Sequence, residues 1–383
     1  MTRPRVLAPV VIILAALDAT PALALPTMIR LGYDTCVACH LSPQGGGLLN
    51  EYGRGIDEAQ SLRGAEYRPL DNELVRTMTW HGRITQDLRM VVQDTRTWPS
   101  HQQAVNVLRP RLMYRNVTQL TRTVRVSGTI MGETEAAPRP VRIYDPSTPP
   151  ASAYVTTALV HHRPGKALEF AAGRDQLPTG INVPDLAPFI KSRNRLGYYD
   201  APLQLKMFWA GQRYQVVPFV YGPAGNEPVG ERESGGGALA EFDVLGRHKT
   251  VVGLSVLDAG ARNGGRRMVG TYTRLGFGAW GILAEHDITD RARNTPTDVD
   301  VRQHATYGQL FWAVREWLVV SAIGERLSVE PPFAERLAAG KIEIAARFTS
   351  FASLAVNARV QRDLLTGRQS PAVGFQAALK TVH

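Results

Sequence analysis

The sequence predicts an all-β fold: a transmembrane antiparallel β-barrel of about 16 strands, preceded by a short module of helix and loop. Three observations carry that prediction. From about Met78 onward apolar and polar residues alternate with period two, and no long amphipathic helix interrupts them. The alternating runs have the roughly 9 to 11 residues that a tilted strand needs to cross a bilayer. Their connections alternate between short and long, as turns and loops do in bacterial outer-membrane barrels, whereas a β-sandwich gives no reason for such alternation.

The chain opens with Arg3 and Arg5, an apolar run from Val6 to Leu17, and the small-residue site Ala22-Leu23-Ala24. That is the pattern of a secretory signal peptide over residues 1–24. The run is broken by Asp18 and Pro21 and falls short of the ~20 residues of a spanning helix. The mature chain is therefore expected to begin at Leu25, in an exported and oxidising space.

The only two cysteines of the 383 residues stand in "TCVACH", with His40 directly after the second. A disulfide between Cys36 and Cys39 would close a very small loop and restrain little unfolded-state entropy. A thioredoxin-like redox pair would need a βαβ setting, and a structural zinc site would need four ligands. C-x-x-C-H in an exported chain instead predicts one covalently attached haem c. Cys36 and Cys39 would bind the porphyrin, and His40 would be the proximal axial ligand. The glycine run Gly45 to Gly47 lacks the strand–helix context of a nucleotide loop and is expected to be a loop of this module.

These features divide the chain into a signal peptide (1–24), a monohaem cytochrome module (25–69), a linker (70–77) and a porin-like barrel (78–383). In "WHGRITQDLRMVV", Trp80, Ile84, Leu88, Met90 and Val92 share one face, and His81, Arg83, Thr85, Asp87 and Arg89 the other. Leu108, Pro110, Leu112 and Tyr114 oppose Arg109, Arg111, Met113 and Arg115. Ile342, Ile344, Ala346 and Phe348 oppose Lys341, Glu343, Ala345 and Arg347. Leu354, Val356, Ala358 and Val360 oppose Ser353, Asn357, Arg359 and Gln361. "AVGFQAALKTVH" reads as the closing strand.

Short links are expected at 162–166, 210–212, 246–249 and 349–350, and long ones at 134–151, 175–200, 223–236 and 287–302. Trp80, Trp209, Tyr221, Trp280 and Trp312 fall toward strand ends, as in an interfacial girdle. A mean hydropathy of −0.16 agrees with strands that show one polar face to a lumen.

The haem motif and its surroundings resemble the outer-membrane monohaem cytochrome–porin fusions known as outer-membrane iron oxidases. The likeness rests on Pro26, Arg30, Gly32, Cys36, Cys39 and His40, followed by Leu49, Asn50, Tyr52, Gly53 and Arg54. One extra residue separates Gly32 from Cys36. The triple glycine and the residues directly after His40 also depart from the family pattern, so the donor is less determined than the architecture. The resemblance implies an electron conduit in the cell outer membrane, in contact with its lipid. Single electrons would pass from an extracellular donor such as Fe(II) to a periplasmic c-type cytochrome, a possible Fe(II):cytochrome c oxidoreductase. The haem module would sit in the lumen or at its periplasmic mouth.

For the distal ligand the sequence offers His81, Met28 and Met78 without deciding between them, and Arg30 and Arg54 are candidate partners of the haem propionates. The formal net charge of +10 does not point to nucleic acid, because the basic residues Arg83, Arg89, Arg109, Arg111, Arg115 and Arg125 alternate along strands. A basic lumen supports a competing expectation from a different class, an anion-selective porin with a haem-bearing plug or sensor. Loop carboxylates at Glu227, Glu231, Glu233, Asp287, Asp290, Asp298 and Asp300 are candidate oxygen ligands for iron. A soluble haem enzyme lacks an identifiable distal acid–base pair.

Overall fold

The computed structural model describes residues 26–33, 36–44, 48–63, 73, 77, 79–100, 102–133, 153–182, 188–197, 200–225, 232–246, 249–262, 264–292, 300–332 and 334–382. The expected signal peptide, Gly45 to Gly47, most of the linker, Met78, Glu227, Glu231, Asp298 and His383 lie outside these residues.

Sixteen antiparallel strands close into one barrel: β1 (Ile84–Thr97), β2 (Val105–Gln119), β3 (Val124–Glu133), β4 (Ala153–His162), β5 (Leu168–Arg174), β6 (Leu203–Ala210), β7 (Tyr214–Gly222), β8 (Ser234–Asp243), β9 (Thr250–Ala261), β10 (Gly264–Phe277), β11 (Trp280–Ala292), β12 (Val301–Arg315), β13 (Leu318–Val329), β14 (Glu335–Thr349), β15 (Ala352–Asp363) and β16 (Gln369–Val382). Each strand pairs with its sequence neighbour, and β16 closes the ring on β1 from Asp87↔Val382 to Thr97↔Ala372. Closure removes both sheet edges, so every strand's backbone groups find partners within the wall.

Period-two alternation becomes an inside and an outside. Leu88, Met90, Leu108, Leu112, Ile342, Ile344, Val356 and Val360 are exposed on the outer face, as their spacing predicts. Asp87, Arg115, Arg347 and Ser353, from the opposite parity, are buried toward the lumen. An apolar outer band over a polar interior is what a bilayer requires of a barrel. Trp280 and Trp312 stack on the outer wall with centroids 5.1 Å apart, beside the short turns, where an interfacial girdle belongs. Replacing Leu254, which lies between Val252 and Val256 on the outer face of β9, by arginine should cost about 2–4 kcal/mol at mid-bilayer depth. Folding titrations into lipid vesicles would measure that loss.

The short links fall at 120–123, 163–167, 211–213, 244–249, 278–279, 316–317 and 350–351, all at the end of the barrel that holds the start of β1 and the end of β16. The opposite end carries the segments 134–152, 175–202, 223–233 and 293–300. Four links at that end are nevertheless short, at 98–104, 262–263, 330–334 and 364–368. The expected loop at 287–302 shrinks because β11 continues to Ala292, which places Asp287 and Asp290 on a strand. Tyr221 belongs to the lumen and not the girdle: it is 8% exposed, and its hydroxyl donates to Glu233.

Two segments turn inward, and the main buried core forms between them and the wall. The long β5–β6 connection carries Ile181, Phe189 and Ile190, all buried with Phe208, Leu283 and Phe311 of the wall. Its backbone is held from below: the Ile181 amide donates to Glu285 at 2.6 Å and the Phe189 amide to Glu325 at 2.8 Å. The second inward segment is the N-terminal one, whose Ile29 is fully buried in the same cluster.

Candidate functional site

The CVACH stretch forms a single tight turn. The His40 amide donates to the Cys36 carbonyl at 2.9 Å and the Cys39 amide to the same oxygen at 3.2 Å, so the intervening residues coil as a short 3-10 helix. Both cysteines are free thiols. After the turn the chain returns as a small hairpin, in which His40 bridges Leu49 and the Leu41 amide donates to Leu48.

Asn50 explains why the second half of the sequence motif belongs with the first. Its amide donates to the Cys39 carbonyl at 2.9 Å, and its side-chain nitrogen donates to Ala38 at 3.1 Å. Its side-chain oxygen accepts from the Gly53 amide at 2.7 Å and caps the helix α1 (Glu51–Ala59). One asparagine thus ties the cysteine turn to the helix that follows. Gly53 completes the fit, because a Cβ there would stand 2.1 Å from the Cys39 carbonyl oxygen. No residue with a side chain permits that approach.

This unit lies inside the barrel and touches several sides of the wall. The backbone of Ile29 and Arg30 runs across Gly276 of β10 so closely that a Cβ there would meet it at 2.5 Å. Arg30 is buried and reaches Glu316 at 2.7 Å in the β12–β13 turn, so its partner is a protein carboxylate. Asp57 of α1 binds Arg347 of β14 at 2.8 Å and Lys380 of β16 at 2.6 Å. The Leu62 and Arg63 amides donate to Arg347 and Phe348. On the far side Leu41 and Leu48 face β2 to β4 across a cavity, and Gln44 accepts from Lys206 of β6 at 2.6 Å while donating to Gln176 at 3.2 Å. The segment therefore extends from the short-turn rim to the inward β5–β6 connection.

Cys36 packs beside Arg274 and Glu241, an ion pair 2.8 Å apart on β10 and β8. Burial pushes its thiol up to about 11 from the ordinary 9.0, against the pull of Arg274. Cys39 is raised as well, by burial and then by the charge of Asp57. Both sulfurs are thus neutral thiols near pH 7 in the haem-free chain. Tyr33 and Tyr52 meet edge to face at 6.0 Å beside Cys39, with their hydroxyls hydrogen-bonded at 2.5 Å, and that bond raises the Tyr33 phenol to about 12. Two free thiols and one imidazole on a single pinned turn, screened from bulk water by a barrel wall, form a donor set that fits a c-type haem.

The other site expectations divide. Met28 lies in the 3-10 helix Pro26–Leu31, partly buried, and Arg54 lies half-buried on α1. His81 is not on the lumen face of β1. Trp80, His81 and Gly82 all have positive φ (46°, 53° and 81°) and make a left-handed turn that delays the strand until Ile84. His81 is exposed at the rim, and Arg83, also exposed, sits over the Trp80 ring at 4.9 Å. Of the loop carboxylates named as candidate iron ligands, Glu227, Glu231 and Asp298 lie outside the described residues. Among the described residues no group of three or more His, Cys, Asp and Glu converges on a metal position. Glu233 pairs with Arg266, Asp287 accepts from Asn194, and Asp290 pairs with Arg302 on the outer wall.

The inward arginines are less available than their parity implies. Arg111 pairs with Glu133 at 2.9 Å, Arg115 with Asp87, and Arg125 with Glu169. Sequence parity places these bases inside but does not reveal the acids on nearby strands, which depend on register between strands.

No protein-family model matches the sequence, and no curated protein does. The fold has solved counterparts. The loop L8 deletion mutant of OmpT, an outer membrane protein of Vibrio cholerae, superposes with a TM-score of 0.60 at 9% identity, over 78% of this chain and 100% of that one. The anion-selective porin from Comamonas acidovorans gives 0.59 at 11% identity over 78% and 100%. Pseudomonas putida OprB gives 0.60 at 8% identity over 80% and 96%. At these identities the likeness is one of fold. The chain has the closed 16-strand architecture of outer-membrane porins, and its own N-terminal segment is packed into the lumen.

Proposed function

We propose that this protein sits in the outer membrane and conducts single electrons between an extracellular donor and a periplasmic c-type cytochrome. It would do so through one haem c, covalently held by Cys36 and Cys39 and ligated by His40. The observation that carries the reading is the CVACH turn, pinned by Asn50 and seated among lumen side chains. A haem bound there supplies one-electron chemistry between ferrous and ferric iron. The chain's own part is to hold the group at fixed depth, to exclude water around it, and to bring it within the span of an otherwise insulating core of about 30 Å. Fe(II) is the donor that the sequence resemblance favours.

The second reading is an anion-selective porin whose N-terminal segment is a plug or sensor. The fold likeness to the Comamonas porin and the inward arginines favour it. Pairing of Arg111, Arg115 and Arg125 with acids reduces the anion preference expected of that wall.

Cys36→Ala with Cys39→Ala should abolish haem staining on a denaturing gel, because no thioether can form, while the barrel still migrates in its heat-modifiable form. Stain retained by that double variant would remove the covalent haem from the account.

A further inference from the structure

Three inward side chains on adjacent strands, across a cavity from Leu41 and Leu48, form a chain of hydrogen bonds. Ser127 (β3) stands with its Oγ 2.9 Å from His161 Nε2 (β4), and His161 Nδ1 stands 2.9 Å from Glu169 Oε1 (β5). Strand pairing aligns them: Arg125 is opposite His161, and Ser127 is opposite Leu159, so all point to the lumen. His161 and Glu169 are 1% and 2% exposed, which fixes their rotamers. Glu169 also pairs with Arg125.

The polarity of the chain follows from these partners. A carboxylate can only accept, so Nδ1 donates to Glu169, and in the neutral imidazole Nε2 is the acceptor. The Ser127 hydroxyl then donates to Nε2. A hydroxyl aimed at a base that a buried carboxylate orients is the arrangement that activates a serine nucleophile.

Ser127 and His161 also line a cavity between the wall and the N-terminal segment. Leu41, Leu48 and Leu159 give it an apolar side, and Arg115 and Arg125 place guanidinium groups on the other. An apolar side facing a few convergent polar groups is the character of a small-molecule site.

We propose that Ser127, His161 and Glu169 form a lumenal acyl-transfer site that hydrolyses small esters carrying a short acyl chain. Ser127 Oγ attacks the ester carbonyl carbon while its proton passes to His161 Nε2. The bond from that carbon to the alcohol oxygen breaks, and the alcohol leaves with the proton held by His161. Water then attacks the acyl-serine, gives its own proton to Nε2 and releases the carboxylic acid, which restores Ser127. Arg115 and Arg125, each already paired with a carboxylate, line the same cavity and add positive potential beside the carbonyl oxygen. The inference does not depend on the haem.

The test uses the full-length protein in detergent and a fluorophosphonate probe, whose fluoride leaves as a bond forms from Ser127 Oγ to phosphorus. Peptide mass mapping should place the label on Ser127 of the unaltered protein. Ser127→Ala should lose it, and His161→Gln should slow labelling by about 100-fold or more. Hydrolysis of p-nitrophenyl acetate should fall in parallel, with heat-modifiable migration confirming that each variant has folded. An unlabelled Ser127 in the unaltered protein, or equal labelling rates in His161→Gln, would overturn the assignment and leave the three residues as a brace of the wall.

Discussion

Deleting residues 25–69 should convert a poorly conducting barrel into an open channel. A ring of sixteen strands is wide enough for an aqueous pore unless something fills it. Here the filling is part of the same chain: Ile29, Gln44, Leu48 and Asp57 face the wall from β2 round to β16. In planar bilayers the intact protein should pass little current, and the truncated one on the order of tenfold more, as expected of porin-sized barrels. The β5–β6 connection remains in the lumen of both, so the difference reports the N-terminal segment alone. Equal conductance would mean that the segment does not block ion flow.

A single carboxylate should control how firmly that segment is docked. Asp57 is 6% exposed and holds both Arg347 and Lys380. Asp57→Ala removes the shared counter-charge of two largely buried cations. Losing one member of such a cluster typically costs about 3–5 kcal/mol. The barrel itself retains its strand hydrogen bonds, so the loss falls on the helix α1 and the cysteine turn packed against it. Limited proteolysis should cut between Ile29 and Arg63 far faster in the variant, and channel recordings should show brief openings absent from the parent. Asp57→Glu keeps the charge and should restore much of the protection. Unchanged proteolysis in Asp57→Ala would show that the remaining wall contacts suffice.

The fold was legible in the sequence wherever a local period decides it. Alternation put Leu88, Met90, Ile342 and Val356 outside because side chains of a strand must alternate between faces. The cysteine turn was legible from spacing alone. What escaped depends on contacts between distant residues. Asn50 and Gly53 belong with the cysteine turn for a reason visible only once α1 lies against Cys39. Arg115 looks like free lumen charge until the β1–β2 register brings Asp87 directly opposite. Period two continues back through His81 and so points to a strand there. The left-handed backbone at residues 80–82 ends the strand there, and the glycine at 82 was the one local signal. The Ser127–His161–Glu169 chain spans three strands and has no sequence signature at all.

The electron-conduit account is tested most directly in proteoliposomes that enclose oxidised cytochrome c and carry the intact protein in their wall. An impermeant reductant such as Fe(II) chelate is added outside, while chloride leakage is followed in the same vesicles. The account predicts reduction of the enclosed cytochrome with little chloride leakage, and no reduction with His40→Ala. Chloride leakage without any reduction by the intact protein would contradict it and leave an anion-selective porin.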